Sequence, residues 1–215
     1  MQNMTPTNTS RDIILNKIET TRKRRSFPHF PAGSGNEIYK PILPDALTCF
    51  KNEIEAVSGQ CILCENENEL IHKLKKIIIE RTFPYLFCRD KKILSILKDN
   101  DIPFSDQEAD FENMQAGVTS CEFLIARTGS VMASSASSFG RRMHVFPPVH
   151  IVLAKSSQLK DYYEDALTAL YQKYAGNLPS AITTITGPSR TADIEKTLVL
   201  GAHGPGELII FVSKN

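Results

Sequence analysis

The sequence predicts an α/β protein: a mostly parallel sheet flanked by helices, with a β-hairpin inserted. Three observations predict it. Between residues 45 and 100, short apolar runs alternate with amphipathic stretches of helical period, as in parallel strands joined by helices. Thr128-Gly129 then supplies a turn between two further apolar runs, the mark of a hairpin. A helical pattern over residues 157–174 and a last apolar run from Leu208 to Val212 complete the alternation.

The elements follow in order. Residues 10–25 read as a helix capped by Ser10, with Ile14, Leu15 and Ile18 as its apolar stripe. It ends in Arg22-Lys-Arg-Arg25, a basic run that suits a helix carboxyl end and also an acidic partner. Residues 26–44 hold four prolines together with Gly33 and Gly35, so they read as an extended linker. Residues 1–44 are therefore expected to form an N-terminal helix and arm, wrapped on the domain or on a partner subunit. Residues 45–215 are expected to form the α/β domain.

Asp45 caps a helix carrying Leu47, Phe50, Ile54 and Val57, closed by Gly59. Cys61 to Cys64 is a short strand. Asn66 and Glu69 start a helix with Leu70, Leu74, Ile77 and Ile78 on its apolar face. Tyr85 to Cys88 is a strand, and Asp90 opens a helix through Ile93, Leu94 and Leu97 that ends near Asn100. Val118 to Ala126 reads as one nearly continuous strand, with Ser130 to Ala133 returning as its hairpin partner. A small-residue loop from Ser134 to Gly140 follows. Pro147-Pro148 precedes His150 and a strand from Ile151 to Ala154. In the helix over 157–174, Leu159, Tyr163, Ala166, Leu167, Leu170 and Tyr174 share one face, and Gly176 and Pro179 end it. Thr183 to Thr186 is a strand. No internal repeat is visible.

Composition narrows the function classes. The chain has 215 residues, enough for one domain with a substantial core. Lys plus Arg number 25 and Asp plus Glu 24, a balance that argues against a broad basic face for nucleic acid. No apolar run reaches the roughly 20 residues that span a bilayer. Residues 1–10 are polar and lack the apolar core of a signal peptide, so a cytoplasmic location is expected. The five cysteines, 49, 61, 64, 88 and 121, are an odd number and read as free thiols. Cys61 and Cys64 have CxxC spacing. In a strand, however, residues three apart point to opposite faces, so their sulfurs do not converge on a metal. There is no second CxxC, and no iron–sulfur cluster or other metal is expected in this chain.

One stretch stands out chemically: Ile185-Thr-Gly-Pro-Ser-Arg-Thr-Ala-Asp-Ile-Glu195, followed by Gly201-Ala-His-Gly-Pro205. Ser189, Arg190 and Thr191 all donate hydrogen bonds to oxygen, so an anionic or polyhydroxylated ligand is expected. Ligands in open α/β sheets sit beyond the carboxyl ends of strands. Thr128-Gly-Ser130, Gly187 to Thr191 and His203-Gly-Pro205 all fall at expected strand ends and can build one site. Each can also be a simple turn. The candidate ligand-binding residues are Thr128, Gly129, Ser130, His150, Gly187, Ser189, Arg190, Thr191, Asp193 and Gly204. Glu122 and His203 are the candidate catalytic residues. Glu122 is either a buried carboxylate with a partner or a raised pKa, or a solvent-facing residue of the hairpin. His150 is a structural histidine or a ligand contact. HExxH, GxGxxG, Walker A and a Ser-His-Asp order are all absent.

Gly117-Val-Thr, Ala126-Arg-Thr-Gly-Ser130, Pro147 to His150, Gly187 to Glu195 and Gly201 to Pro205 occur in that order. Together they resemble the lactate utilization protein C family, also called the LUD domain family, over about residues 45–215. The long C-terminal motif is the specific part. The resemblance implies a fold similar to the NagB/RpiA/CoA-transferase group. It implies a bacterial role in oxidising L-lactate to pyruvate beside partner subunits that carry iron–sulfur clusters, and a cleft for a carboxylated, phosphorylated or CoA-like ligand. CoA transferases use a glutamate in a glycine-containing turn, whereas Glu122 precedes Phe123 and Leu124, so thioester chemistry is not carried over. Three functions stay open: a cluster-free subunit of an iron–sulfur L-lactate oxidising system, a stand-alone enzyme or sensor for a sugar phosphate or acyl-CoA, and a non-catalytic scaffold.

Overall fold

The computed structural model describes residues 9–23, 41–191 and 199–214. The chain divides into two units, the second beginning at Ile42. In the first, α1 spans Ser10–Lys23. Its cap is Thr9 rather than Ser10. The Asp12 carboxylate accepts from the Thr9 amide at 3.0 Å, and the Asp12 amide donates to the Thr9 hydroxyl at 3.3 Å. Most of the expected extended arm lies outside the described residues.

The second unit alternates strands and helices. It opens with α2 (Ala46–Ala56), β1 (Gln60–Cys64), α3 (Glu67–Glu80), β2 (Leu86–Cys88), α4 (Lys91–Asp99), β3 (Phe104–Ser105) and β4 (Ala116–Thr119). The side chains of Asp45, Asn66 and Asp90 cap α2, α3 and α4, as their residue types dictate. The chain continues through β5 (Phe123–Ile125), β6 (Ser130–Ser134), β7 (Val149–Lys155), β8 (Leu159–Lys160), α5 (Tyr163–Lys173), β9 (Ile182–Ile185), β10 (Arg190–Thr191), β11 (Val199–Leu200) and β12 (Glu207–Ser213).

Among the described residues, six strands form a sheet in the order β1-β12-β7-β4-β2-β3, and every pairing in it is parallel. A second sheet has the order β8-β5-β6-β9, and β10 pairs antiparallel with β11. The central sheet is buried on both faces. One face packs Leu70, Leu74, Ile93 and Leu97 of α3 and α4 against Val118, Ile151 and Phe211. The other packs Phe50 and Ile54 of α2 and Leu124 and Val131 of the second sheet against Val152 and Ile210. Cys64 belongs to the first face and Cys61 to the second. Burial pushes the Cys61 thiol up to about 12.

Two expectations are corrected. Val118 to Ala126 is not one strand. The chain leaves the central sheet at Ser120, whose amide donates to the Asp90 carboxylate at 3.2 Å, and joins the second sheet at Phe123. The hairpin is therefore part of a four-stranded sheet. The helix expected over 157–174 begins only at Tyr163. Leu159 pairs with Leu124 in β8, because the Gln158 amide ties this segment to the carbonyls of Cys121 at 2.6 Å and Glu122 at 3.2 Å. Tyr163, placed on the buried face by its spacing, is exposed.

The turn between β5 and β6 is locked onto α2. Arg127 pairs with Glu53 at 2.8 Å, and the Cys49 thiol donates to the Ala126 carbonyl. Gly129 has φ +57°, in the left-handed region. A Cβ there would lie 2.2 Å from the Ile54 amide nitrogen. Among the described residues, no helix is long and apolar enough to cross a membrane.

Candidate functional site

The Gly187–Thr191 and Gly201–Pro205 segments are adjacent. Strand β9 runs into Gly187, whose φ of +79° turns the chain where a Cβ would strike the Val57 carbonyl at 2.6 Å. The Ser189 amide then donates to the Pro205 carbonyl at 2.8 Å, and the Gly201 amide to the Ser189 carbonyl at 2.9 Å. The Gly206 amide reaches the Pro148 carbonyl at 2.9 Å. These bonds close a cavity of about 260 Å³ whose walls include Gly187, Ser189, His203 and Gly204 with His144, Thr184 and Thr186. A neighbouring cavity of about 380 Å³ shares Val145, His203 and Gly204 with it.

The other expected ligand residues behave differently. Thr128, Ser130 and Thr186 form a chain of hydroxyls with links of 2.7 Å, so Ser130 reaches the cavity wall through Thr186. Gly129 faces the α2 backbone. Arg190 is outside the cavity wall, and its guanidinium donates to the Val57 carbonyl at the carboxyl end of α2, where the helix dipole favours a cation. Thr191 pairs with Val199 in the small ribbon. Asp193 lies outside the described residues. Gly187 and the Thr128 turn follow β9 and β5, which are strands of the second sheet and not of the open parallel one. The His203-Gly-Pro205 loop lies between β11 and the amino end of β12.

His150 is buried in β7, with Nε2 2.8 Å from the Thr119 hydroxyl. Its Nδ1 and both ring nitrogens of His144 have no hydrogen-bond partner among the described residues. The two rings are 6.3 Å apart. Burial, with a smaller contribution from His144, lowers His150 to about 3, and burial lowers His144 as well. Both imidazoles are neutral at pH 7. His144 was not legible from the sequence. It is buried by the turn Arg142–His144, a segment without periodicity.

Glu122 lines a different cavity, together with Asp90, Lys92 and Ser120. It is buried and partnered. Lys173 donates at 2.6 Å, Ser134 at 2.6 Å and Tyr174 at 2.7 Å. Burial disfavours its charge, but these donors outweigh burial and hold the carboxyl below its usual range. That is the opposite of the raised value that a base working at neutral pH needs. Glu122→Gln should cost about 2 kcal/mol, since it strips a charge from three donors while Lys173 stays half-exposed to water. Urea unfolding at pH 7 measures it. A loss below about 0.5 kcal/mol would show the ion pair to be idle.

No group of three or more His, Cys, Asp or Glu among the described residues is placed to hold a metal ion.

The chain matches the LUD domain family over residues 47–212. It is 39% identical over 101 residues to an uncharacterized protein of Neisseria meningitidis serogroup B, covering 46% of this chain and 42% of that protein. It is 36% identical over 96 residues to lactate utilization protein C of Bacillus licheniformis, covering 44% of this chain and 40% of that protein. The protein of that name in Bacillus subtilis is 35% identical over 96 residues, with the same coverage. The chain thus matches about two fifths of the length of these relatives. Among solved structures, a DUF162 family protein from Deinococcus radiodurans superposes with a TM-score of 0.58 at 18% identity, covering 78% of this chain and 96% of that one. At that identity the likeness concerns the fold.

Proposed function

This chain belongs to the LUD domain family, and from that membership we propose that it serves a lactate utilization system by holding a small carboxylate in the cavity between Ser189 and His203. The relatives named lactate utilization protein C support the role. One observation carries the site: two neighbouring motif segments, bonded to each other, close a cavity of about 260 Å³ whose wall carries hydroxyls and imidazoles beside Ile185, Pro205 and Leu208. That volume falls below the ~300–1,000 Å³ of pockets for drug-sized ligands and suits an acid of three or four carbons.

In this reading the chain is a cytoplasmic, cluster-free subunit of an assembly that oxidises L-lactate to pyruvate. Ser189 and the threonine hydroxyls donate to the carboxylate. His203 takes the proton of the 2-hydroxyl. Going from lactate to pyruvate also breaks the C2–H bond and releases a second proton and two electrons; iron–sulfur clusters of partner subunits would accept those electrons, so copurification of such a subunit belongs to the same proposal.

Thermal melting with L-lactate, pyruvate and inorganic phosphate tests the ligand. At 100 times its Kd a ligand adds about 2.7 kcal/mol, or roughly 5–10 °C for a domain of this size. Ser189→Ala and His203→Ala should each weaken binding about tenfold, the scale of one hydrogen bond to a charged group. If neither acid raises the melting temperature, or both variants respond like the wild type, the site is wrong.

A further inference from the structure

All six parallel strands of the central sheet end on one side. Strand β2 runs into α4, which packs on one face with α3, and its neighbour β4 runs into the second sheet, which packs on the other. Chains that leave neighbouring strands in opposite directions open a crevice at their carboxyl ends, the usual ligand position in open α/β sheets. Here that crevice holds two adjoining cavities of about 400 and 380 Å³, which share Lys92, Ser120, Cys121 and Lys173. Neither shares a lining residue with the cavity at Ser189.

The lining has two characters. The larger cavity is walled by Leu70, Ile93, Ile96 and Leu153, with Lys155 at its margin. The other is polar and takes Asp90 and Glu122 with Ser137 and Ser138 from the small-residue loop. Glu67, in the first turn of α3, also lines the larger cavity, and of these three carboxylates Asp90 and Glu122 are already committed. Asp90 accepts from the Ser120 hydroxyl, the Ser120 amide and the Lys92 amide. Glu122 accepts from Lys173, Ser134 and Tyr174. The ammonium groups of Lys92 and Lys155 have no such partner among the described residues. Lys92 stands where the apolar and polar cavities meet.

We infer that this crevice is a second binding site, for an organic anion whose apolar body lies on Leu70, Ile93 and Ile96 and whose charged end meets Lys92. Each of the two cavities falls in the ~300–1,000 Å³ range of pockets for organic ligands. The inference does not depend on the small-carboxylate proposal, because it rests on different residues.

Calorimetric titration with two probes tests it: octanoate, with an apolar chain and a carboxylate, and adenosine monophosphate, with a planar body and a phosphate. At least one should bind the full chain. Lys92→Glu, at an exposed position, should weaken that binding at least tenfold, Lys155→Glu should weaken it less, and Ser189→Ala should leave it unchanged. The inference fails if neither probe binds, if Lys92→Glu binds like the wild type, or if Ser189→Ala weakens binding as much as Lys92→Glu.

Discussion

Gly129→Ala should destabilise the fold by roughly 3 kcal/mol. The left-handed backbone at φ +57° costs an L-residue about 1–2 kcal/mol. The added methyl also meets backbone, not a flexible side chain: it would lie 2.2 Å from the Ile54 nitrogen and 2.6 Å from the Glu53 carbonyl carbon. Helix α2 must move, and overpacking of this kind costs a further ~1–3 kcal/mol. The move also strains the Arg127–Glu53 pair and separates Ile54 and Phe50 from Leu124 and Val131. Thermal unfolding followed by circular dichroism should show a fall of roughly 6–12 °C. A fall under about 2 °C would mean that the turn is not held against α2.

Acid should weaken the fold through His150 well before its carboxylates titrate. In the folded state burial keeps the ring neutral down to about 3, whereas in the unfolded chain it protonates near 6.5. Below pH ~6.5 the unfolded state therefore binds a proton that the folded state refuses. Stability falls with pH across that window by up to ~1.4 kcal/mol per unit. From pH 6.5 to 5 the loss is about 1.6 kcal/mol, and His144, lowered in the same direction, adds to it. Glu122 acts later: its folded value is lowered, so its contribution is lost only as pH drops below the ordinary carboxylate range near 4.3. Urea unfolding at pH 7, 6 and 5 measures the slope, and His150→Leu should reduce it. An unchanged slope in His150→Leu would show that the folded ring takes up protons freely.

Much of the fold was legible because its signals are local. Asp45, Asn66 and Asp90 cap the helices their residue types announce, and Cys61 and Cys64 go to opposite faces because strand geometry sends them there. The break at Ser120 was not legible. Residues 118–126 are apolar on both sides of it, and the cause is a hydrogen bond to Asp90, thirty residues away. Leu159 fitted the helical spacing of the next segment, yet Gln158 bonds to Cys121 and Glu122 and draws it into a sheet.

The site divides in the same way. The Gly187 to Glu195 stretch carried a signal because Arg190 flanked by hydroxyls exceeds the needs of a turn; Gly187 and Ser189 from it share one cavity wall with His203 and Gly204. Arg190 itself, on which that signal rested, caps α2 from outside the wall. Glu122 was identified as an unusual carboxylate. Its three donors come from β6 and the end of α5, contacts that no spacing in the sequence encodes.

The claim that Ser189 and His203 wall a cavity for a small carboxylate is tested most directly by nuclear magnetic resonance of the histidine side chains during titration with L-lactate. His203 and His144 border the cavity, whereas His72 sits on α3, away from it. The account predicts saturable shifts of the His203 and His144 imidazole resonances, with His72 unmoved. Equal shifts at all three rings, or none at His203 and His144, would contradict it.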